Sequence, residues 1–277
     1  MLRVMTYNVL YGCHERVGTT FVYQPARAEA VREVVRAEAP DILGLTEAAY
    51  CGAHGRLLMQ DFAAMFGLPH VFAAGGEGDW TSMLLSRHPI VDASRIPLGG
   101  SPSGIMMSAL RTTIDAGSDG RWRFDLVHPS PHISEAARVE AFAPLLEPTA
   151  EPRVVFGDFN ALSDEDPYTH AGLVEDMRGQ VDDPAAVATT MLDRQLLATL
   201  RAHGLRDTMP VEARVHTIPT RLTRASTQGA RLRIDYVLAS ANVEVLTGKV
   251  IHSAPADRGS DHYPIVAELS SSSASAT

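Results

Sequence analysis

The sequence predicts an α/β fold in which two mixed β-sheets pack together and are flanked by helices. Three observations carry this. Short apolar or alternating runs, the mark of strands, recur along most of the chain. Only a few stretches show helical spacing, and they do not alternate strictly with the strands, so a plain doubly wound parallel sheet fits poorly. No internal repeat and no long linker divides the chain. Residues 1–269 therefore read as one domain, and Ser270 to Thr277 as a flexible Ser/Ala-rich tail.

Each element has its own signal. Leu2 to Asn8 alternates and is β-prone, so it reads as the first strand. Pro25 opens a helix with Val31, Val34 and Val35 on one face, and Pro40 stops it. Asp41 to Thr46 is a short apolar run that reads as a buried strand ending at Glu47. Leu57 to Phe66 reads as a helix. Ser82 to Ser86, Ile90 to Ile96 and Met106 to Ile114 read as strands separated by turn signals. Trp122 to Val127 is a strand ending at His128, Ser134 to Leu146 is helix-like, and Arg153 to Phe156 is a strand ending at Gly157-Asp158. Leu192, Leu196, Leu197 and Leu200 form a helical stripe closed by Gly204. Leu232 to Leu238, Val243 to Ile251 and Ile265 to Leu269 close the chain as strands.

Composition narrows the function. At 277 residues, 45% apolar and 21% charged, the chain is long enough for one large domain with a substantial core. Its net charge is −9. A protein that grips long duplex DNA usually presents a basic face, because phosphate neutralisation supplies much of the affinity, so this total argues against nonspecific nucleic-acid binding. The two cysteines, Cys13 and Cys51, are too few for a secreted disulfide scaffold and read as reduced thiols. The first residues lack the long apolar core of a signal peptide, and no stretch approaches membrane-spanning length. The expectation is a cytoplasmic protein without stable membrane insertion.

Several strands end in the same way: an apolar run, then a carboxylate, amide or imidazole. The series is Asn8, Glu47, His128, Asp158 with Asn160, Asp235, and Asp261-His262. Residues at the rim of a sheet can converge on one cleft. The set holds hard oxygen ligands (Glu47, Asp158, Asp261) and amide oxygens (Asn8, Asn160), which suit Mg²⁺ or Mn²⁺, and imidazoles that transfer protons near neutral pH. Metal-assisted phosphoryl chemistry needs both kinds of group. Taken singly, each has a plainer reading: a turn residue at Asn8, a solvated carboxylate at Glu47, a turn start at Ser260-Asp261-His262. Together, in this order and each at a strand end, the plainer readings fail.

These segments resemble the endonuclease/exonuclease/phosphatase superfamily. The matching pieces are Thr6-Tyr7-Asn8, Pro40 to Glu47, Leu126-Val127-His128, Val155 to Asn160 with its Gly-Asp-Phe-Asn, Arg233-Ile234-Asp235-Tyr236, and Ser260-Asp261-His262. They run in family order over nearly the whole chain. The resemblance implies a four-layer α/β/β/α sandwich with the active site at one edge of the two sheets. It implies that Asn8 and Glu47 hold a divalent metal, Mg²⁺ or Mn²⁺. Asp158 orients or deprotonates the attacking water, or holds a second metal. Asn160 hydrogen-bonds the phosphoryl group. His262, oriented by Asp235, is general base or transition-state donor, Asp261 helps hold metal or water, and His128 contacts a phosphate oxygen or assists the leaving group. Thr46 departs from the glutamine often found there. The segment His128-Pro129-Ser130-Pro131-His132 offers His132 as a rival imidazole, and Asp79 is a guess for an acid paired with His128.

Substrate choice rests on loops. Arg221, Arg224, Arg231 and Arg233 cluster just before Asp235, where Arg231 and Arg233 could steer an anionic substrate; a solvated loop is the equal alternative. Trp80 and Trp122 could stack on a ring, though buried tryptophans are commoner. The first expectation is a phosphoesterase acting on a phosphorylated small molecule or lipid headgroup. The alternative is a nuclease or DNA-repair phosphodiesterase acting on nucleic acid. A non-catalytic interaction protein of the same fold comes last, since Glu47 and the Asp-His pair are both present.

Overall fold

The computed structural model describes residues 1–18, 20–49, 63–73, 81–100, 106–222 and 230–271. In chain order its strands are β1 (Leu2–Asn8), β2 (His14–Val17), β3 (Thr20–Tyr23), β4 (Ile42–Ala49), β5 (His70–Ala73), β6 (Thr81–Ser86), β7 (Ile90–Gly100), β8 (Met106–Asp115), β9 (Arg121–Val127), β10 (Arg153–Asp158), β11 (Arg206–Asp207), β12 (Asp235–Ala239), β13 (Val243–Val250) and β14 (Ile265–Ser271). The helices are α1 (Pro25–Glu38), α2 (Glu135–Phe142), α3 (His170–Asp176), α4 (Pro184–Met191), α5 (Gln195–Ala202) and the short α6 (Ala256–Gly259). Among the described residues, the strands form two six-stranded mixed sheets, ordered β13-β14-β1-β4-β6-β5 and β11-β12-β10-β9-β8-β7, plus the β2-β3 hairpin.

Alternation along the strands builds the layers. Leu2, Val4, Ile42 and Leu84 of the first sheet pack against Leu126, Val154, Phe156 and Val237 of the second. The outward residues Met5, Tyr7, Leu43 and Leu45 pack under Val31, Val34 and Val35 of α1. Val127, Val155 and Tyr236 pack under Phe142, Leu196 and Leu200 of α2 and α5. The result is the α/β/β/α sandwich. At its centre the sheets approach so closely that a Cβ on Gly44 would lie 2.5 Å from Phe156 Cε2. Trp122 belongs to this interior: it is fully buried and its Nε1 donates to the Asp119 carbonyl at 3.0 Å.

Several expected boundaries move. The last turn of the expected 134–146 helix tightens into a 3-10 turn over Ala143–Leu145, where Pro144 removes a donor. Leu192 caps α4 instead of joining α5, which keeps the stripe of Leu196, Leu197 and Leu200. The strand expected from Leu232 begins at Asp235, because the Leu232 backbone pairs with Ile218. At the C-terminus β14 pairs Ser270 with Glu244 and Ser271 with Val243, so the strand extends two residues into the expected tail. The hairpin, β5, β11, α3, α4 and α6 had no reading from sequence. Residues 63–66 are helical, and the rest of the expected 57–66 helix lies outside the described residues, as do Cys51, Asp79, Trp80 and Arg224. Among the described residues no helix is long and apolar enough to cross a membrane.

Candidate active site

The same alternation that fills the core delivers the polar residues. Asn8 follows Leu2 and Val4 on the inward face of β1, and Asp158 follows Val154 and Phe156 on the inward face of β10. His128 continues the inward series Phe124, Leu126 one residue beyond β9. Register completes the set: Asp158 lies directly opposite Asp235 in the antiparallel β10–β12 pair, and Asn8 beside Thr46 in the parallel β1–β4 pair. One end of the sandwich therefore gathers acid, amide and imidazole from both sheets.

Glu47 reaches this cluster by breaking the alternation. Leu43 and Leu45 face outward, and continued alternation would send Glu47 with them. Instead β4 loses register against β6 between Leu45 and Ala49, and Glu47 takes a left-handed φ of +52°. Such irregularities re-aim single side chains and cluster at functional sites. Asn160 is the second case, with φ +48°. Gly157 is a third: its φ is +139°, and a Cβ there would lie 2.0 Å from the Val127 carbonyl oxygen.

Hydrogen bonds lock the pieces together. Asn8 Nδ2 donates to Glu47 Oε1 and to Asp158 Oδ2, both at 3.1 Å, and so bridges the two sheets. Its Oδ1 accepts from Leu10 N at 3.0 Å, while Glu47 Oε2 accepts from Tyr11 N at 3.1 Å. Those two amides come from a turn, Leu10–Cys13, whose four φ angles are all positive, 43°, 55°, 59° and 63°. Neither this left-handed turn nor its amide donors were foreseen; Gly12 is the one residue there that hints at it. Asp158 Oδ1 accepts from Asn160 N at 2.9 Å, an Asx-type turn, and Asn160 Nδ2 is held by the Pro129 carbonyl at 3.0 Å. His262 Nδ1 and Asp235 Oδ2 are 2.8 Å apart, with Asp235 N bonded to Thr217 Oγ1. Ser260 Oγ donates to Asp261 Oδ1 and accepts from His262 N, both at 3.3 Å.

The bond to Asp235 leaves His262 Nε2 turned towards Asp158 Oδ2, 3.9 Å away, while His128 Nε2 lies 3.6 Å from the same oxygen. Both gaps exceed direct hydrogen-bond range and suit a shared water or an oxygen of a ligand. Electrostatics separates the imidazoles. Burial alone would depress His262, but Asp235, with Asp158 and Asp261, outweighs it and holds the ring well above its ordinary range. At His128 burial wins over Asp158, and its pKa falls. Glu47, desolvated and then repelled by Asp261, is pushed up to about 8.

Of the expected site residues, Asn8, Glu47, His128, Asp158, Asn160, Asp235, Asp261 and His262 come together. His132 is exposed and does not join them; its amide bonds Ser130 Oγ. Arg231 is exposed. Arg233 corrects the expectation of a substrate-facing arginine. It is 1% exposed, bonded to Asp166 at 2.8 and 2.9 Å and to Asp207 at 2.5 Å, and stacked 4.5 Å from the Tyr236 ring centroid. All its charge-assisted donors are spent inside the protein.

The sequence model of the Endonuclease/Exonuclease/phosphatase family matches residues 5–262, from β1 to the imidazole of the Asp-His pair. The chain belongs to that family. Its members are mostly hydrolases of phosphoester bonds. No curated protein matches the chain in sequence. Solved structures share the family architecture. An endonuclease/exonuclease/phosphatase from Beutenbergia cavernae is 24% identical with a TM-score of 0.67, over 98% of this chain and 71% of that one. An AP endonuclease from Archaeoglobus fulgidus is 17% identical with a TM-score of 0.66, over 97% and 99% of the two chains. A mannosyl-6-phosphatase from Bacteroides thetaiotaomicron is 16% identical with a TM-score of 0.62, over 97% and 99%.

Proposed function

We propose that this family member is a divalent-metal-dependent phosphoesterase, cleaving a phosphate mono- or diester of a small molecule or lipid headgroup. The observation that carries the reading is the buried His262–Asp235 pair, its Nε2 3.9 Å from Asp158 Oδ2, beside the Asn8–Glu47 pair.

The donor set fits a hard cation. Glu47, Asp158 and Asp261 crowd one end of the sandwich, and burial, then repulsion by Asp261, pushes the Glu47 carboxyl up to about 8, a shift that a bound cation would oppose. Asn8, Glu47 and Asp261 would hold Mg²⁺, with Mn²⁺ an acceptable substitute. Bound there, the ion would neutralise charge on the phosphoryl oxygens and acidify a nearby water. Asp158, Asp235 and His262 also bring one ligand atom each within 4.8 Å of one another, but Asp235 spends Oδ2 on His262. We assign that trio to proton handling.

In this reading Asp158 orients the attacking water and accepts its proton. His262 Nε2 donates to a phosphoryl oxygen, with Asp235 fixing its tautomer through Nδ1. His128, whose Nε2 lies 3.6 Å from Asp158 Oδ2, serves the leaving-group oxygen, and Asn160, clamped by Pro129, a non-bridging oxygen. Arg231 and His132, both exposed, are the candidates for contact with the rest of the substrate.

The net charge of −9 favours a small ester over a nucleic-acid chain. The nuclease reading is kept by two neighbours of the same fold, the AP endonuclease and a Neisseria 3′ phosphatase bound to product DNA hairpin. An interaction protein without activity is disfavoured by the intact Glu47 and Asp261-His262. The deciding experiment is Mg²⁺-dependent hydrolysis with EDTA and Glu47→Gln controls. Its panel holds aryl phosphate mono- and diesters, sugar and inositol phosphates, a phospholipid headgroup ester, and plasmid and single-stranded DNA. Turnover of small esters that both controls abolish supports the reading. DNA cleavage alone replaces it with the nuclease. Silence on every substrate, with no Mg²⁺ or Mn²⁺ binding, overturns both.

A further inference from the structure

Arg27, in the first turn of α1, is buried at 8% exposure. Its guanidinium donates to four main-chain carbonyls. Nη1 bonds His14 O at 2.8 Å, and Nη2 bonds Leu10 O at 3.0 Å and Val9 O at 3.3 Å. Nε bonds Gly259 O at 3.2 Å. The first three carbonyls bracket the left-handed turn whose amides hold Asn8 and Glu47. The fourth immediately precedes Ser260-Asp261-His262. One side chain thus ties the metal-holding half of the site to the imidazole half, segments 232 residues apart from Arg27 to Gly259.

We infer that Arg27 is a positioning residue for the hydrolytic site, acting through these carbonyls on Asn8, Glu47 and the Asp261-His262 segment; the inference rests on the phosphoesterase reading. A left-handed turn needs such a clamp. The left-handed region is disfavoured for residues with a Cβ, and Leu10, Tyr11 and Cys13 all adopt it. Within the turn the main chain bonds Cys13 N to Val9 O at 3.1 Å and His14 N to Tyr11 O, and His14 Nδ1 lies 2.9 Å from the Tyr11 and Gly12 carbonyls, which leaves the Val9, Leu10 and His14 carbonyls to Arg27. Carbonyls gathered at the end of a helical turn present negative charge, which a cation satisfies. The planar fork of arginine reaches two segments at once, whereas a lysine ammonium is a single point. Gly259 supports the same junction from below: a Cβ there would lie 2.9 Å from Tyr7 Oη and 3.1 Å from Val31 Cγ2.

The test compares wild type, Arg27→Lys, Arg27→Met, Glu47→Gln and Leu200→Ala, the last a core substitution in α5 outside the second sheet. Three readouts are taken: thermal midpoint, Mn²⁺ binding by calorimetry, and kcat and KM on the best ester of the panel. We expect the Arg27 variants to weaken Mn²⁺ binding and to lower kcat by roughly tenfold to a hundredfold, as loss of groups behind metal ligands commonly does. KM should change by less than about threefold. Leu200→Ala should melt at least as early yet keep wild-type Mn²⁺ affinity and kcat, which separates positioning from stability alone. Arg27→Met keeps the apolar stem and removes the buried charge, so it serves if the lysine variant does not fold. Wild-type Mn²⁺ affinity and kcat in a folded Arg27 variant overturn the inference while leaving the phosphoesterase reading standing. If wild type itself binds no Mn²⁺ and Glu47→Gln changes nothing, the underlying reading has failed instead.

Discussion

Adding one methyl group at Gly157 tests the connection between backbone and site. Gly157 occupies φ +139°, and an Ala Cβ would sit 2.0 Å from the Val127 carbonyl oxygen and 3.0 Å from Val127 N and C. Strands β9 and β10, in parallel register at Gly157 and Val127, must part by about 1 Å before even the tightest tolerated contact is reached. The backbone conformation costs about 1–3 kcal/mol, and the overpacking about 1–3 kcal/mol more. A total near 4 kcal/mol lowers the melting midpoint of a chain this size by roughly 8–16 °C, short of unfolding it at room temperature. The next residue on each strand is a site residue, Asp158 on one and His128 on the other, so the same displacement moves two polar groups. A misplacement of about 1 Å costs on the order of a hundredfold in rate. The assay is a circular-dichroism melt with steady-state hydrolysis at 20 °C. Gly120→Ala is the control, since it combines φ +76° with nothing within 4 Å of the new Cβ. If Gly157→Ala melts within about 2 °C of wild type and keeps its turnover, the argument that this glycine sets the spacing of the site is wrong.

Three other outcomes follow. His128→Ala should lower kcat by about 10²-fold or more, and His132→Ala by little, because only His128 faces Asp158; equal losses would refute that division. Arg233→Ala should destabilise by about 3–5 kcal/mol, since it strands Asp166 and Asp207, and leave KM unchanged; a raised KM with an unchanged melt would return Arg233 to the substrate. His216, pushed down to about 4 by burial, then by His252 and Arg231, should titrate near that pH by NMR. Its stabilising contribution is present above the ordinary pKa near 6.5 and lost as pH falls through the lowered one; a titration above pH 6 would refute it.

Strand identity and the site list were legible because both rest on alternation. A run such as Val154-Val155-Phe156 fixes which face is inward, and Asp158 then follows by parity. The same logic places Asn8 and His128. Glu47 shows where it stops. Its position in the motif was readable, but its direction depends on a register break and a positive φ that nothing in Leu-Thr-Glu-Ala encodes locally. Helices α3 and α4 were missed because their burial is slight, with Leu173 and Ala188 their buried residues, so no long apolar stripe marks them. The Leu10–Cys13 turn was invisible for a different reason. Its carbonyls are bonded by His14 Nδ1 and, from outside, by Arg27, a contact spanning helix and turn that no local propensity predicts.

The arginines before Asp235 show why the substrate is harder to read than the chemistry. Arg221, Arg231 and Arg233 lie within one stretch of thirteen residues, yet their surroundings differ completely. Arg221 is 87% exposed with Asp257 at 3.3 Å, Arg231 is exposed, and Arg233 is sealed between Asp166 and Asp207. Three like charges in sequence therefore give three electrostatic strengths. An exposed pair in water is worth about 0–1 kcal/mol, while a buried one is costly to break. A polar residue at the end of a strand inherits its direction from the core beneath it. A cation on a connecting segment takes its partner from whatever packs against that segment. Substrate preference in this family member therefore has to be sought among exposed groups such as Arg231 and His132, and the buried charges must first be set aside as structure.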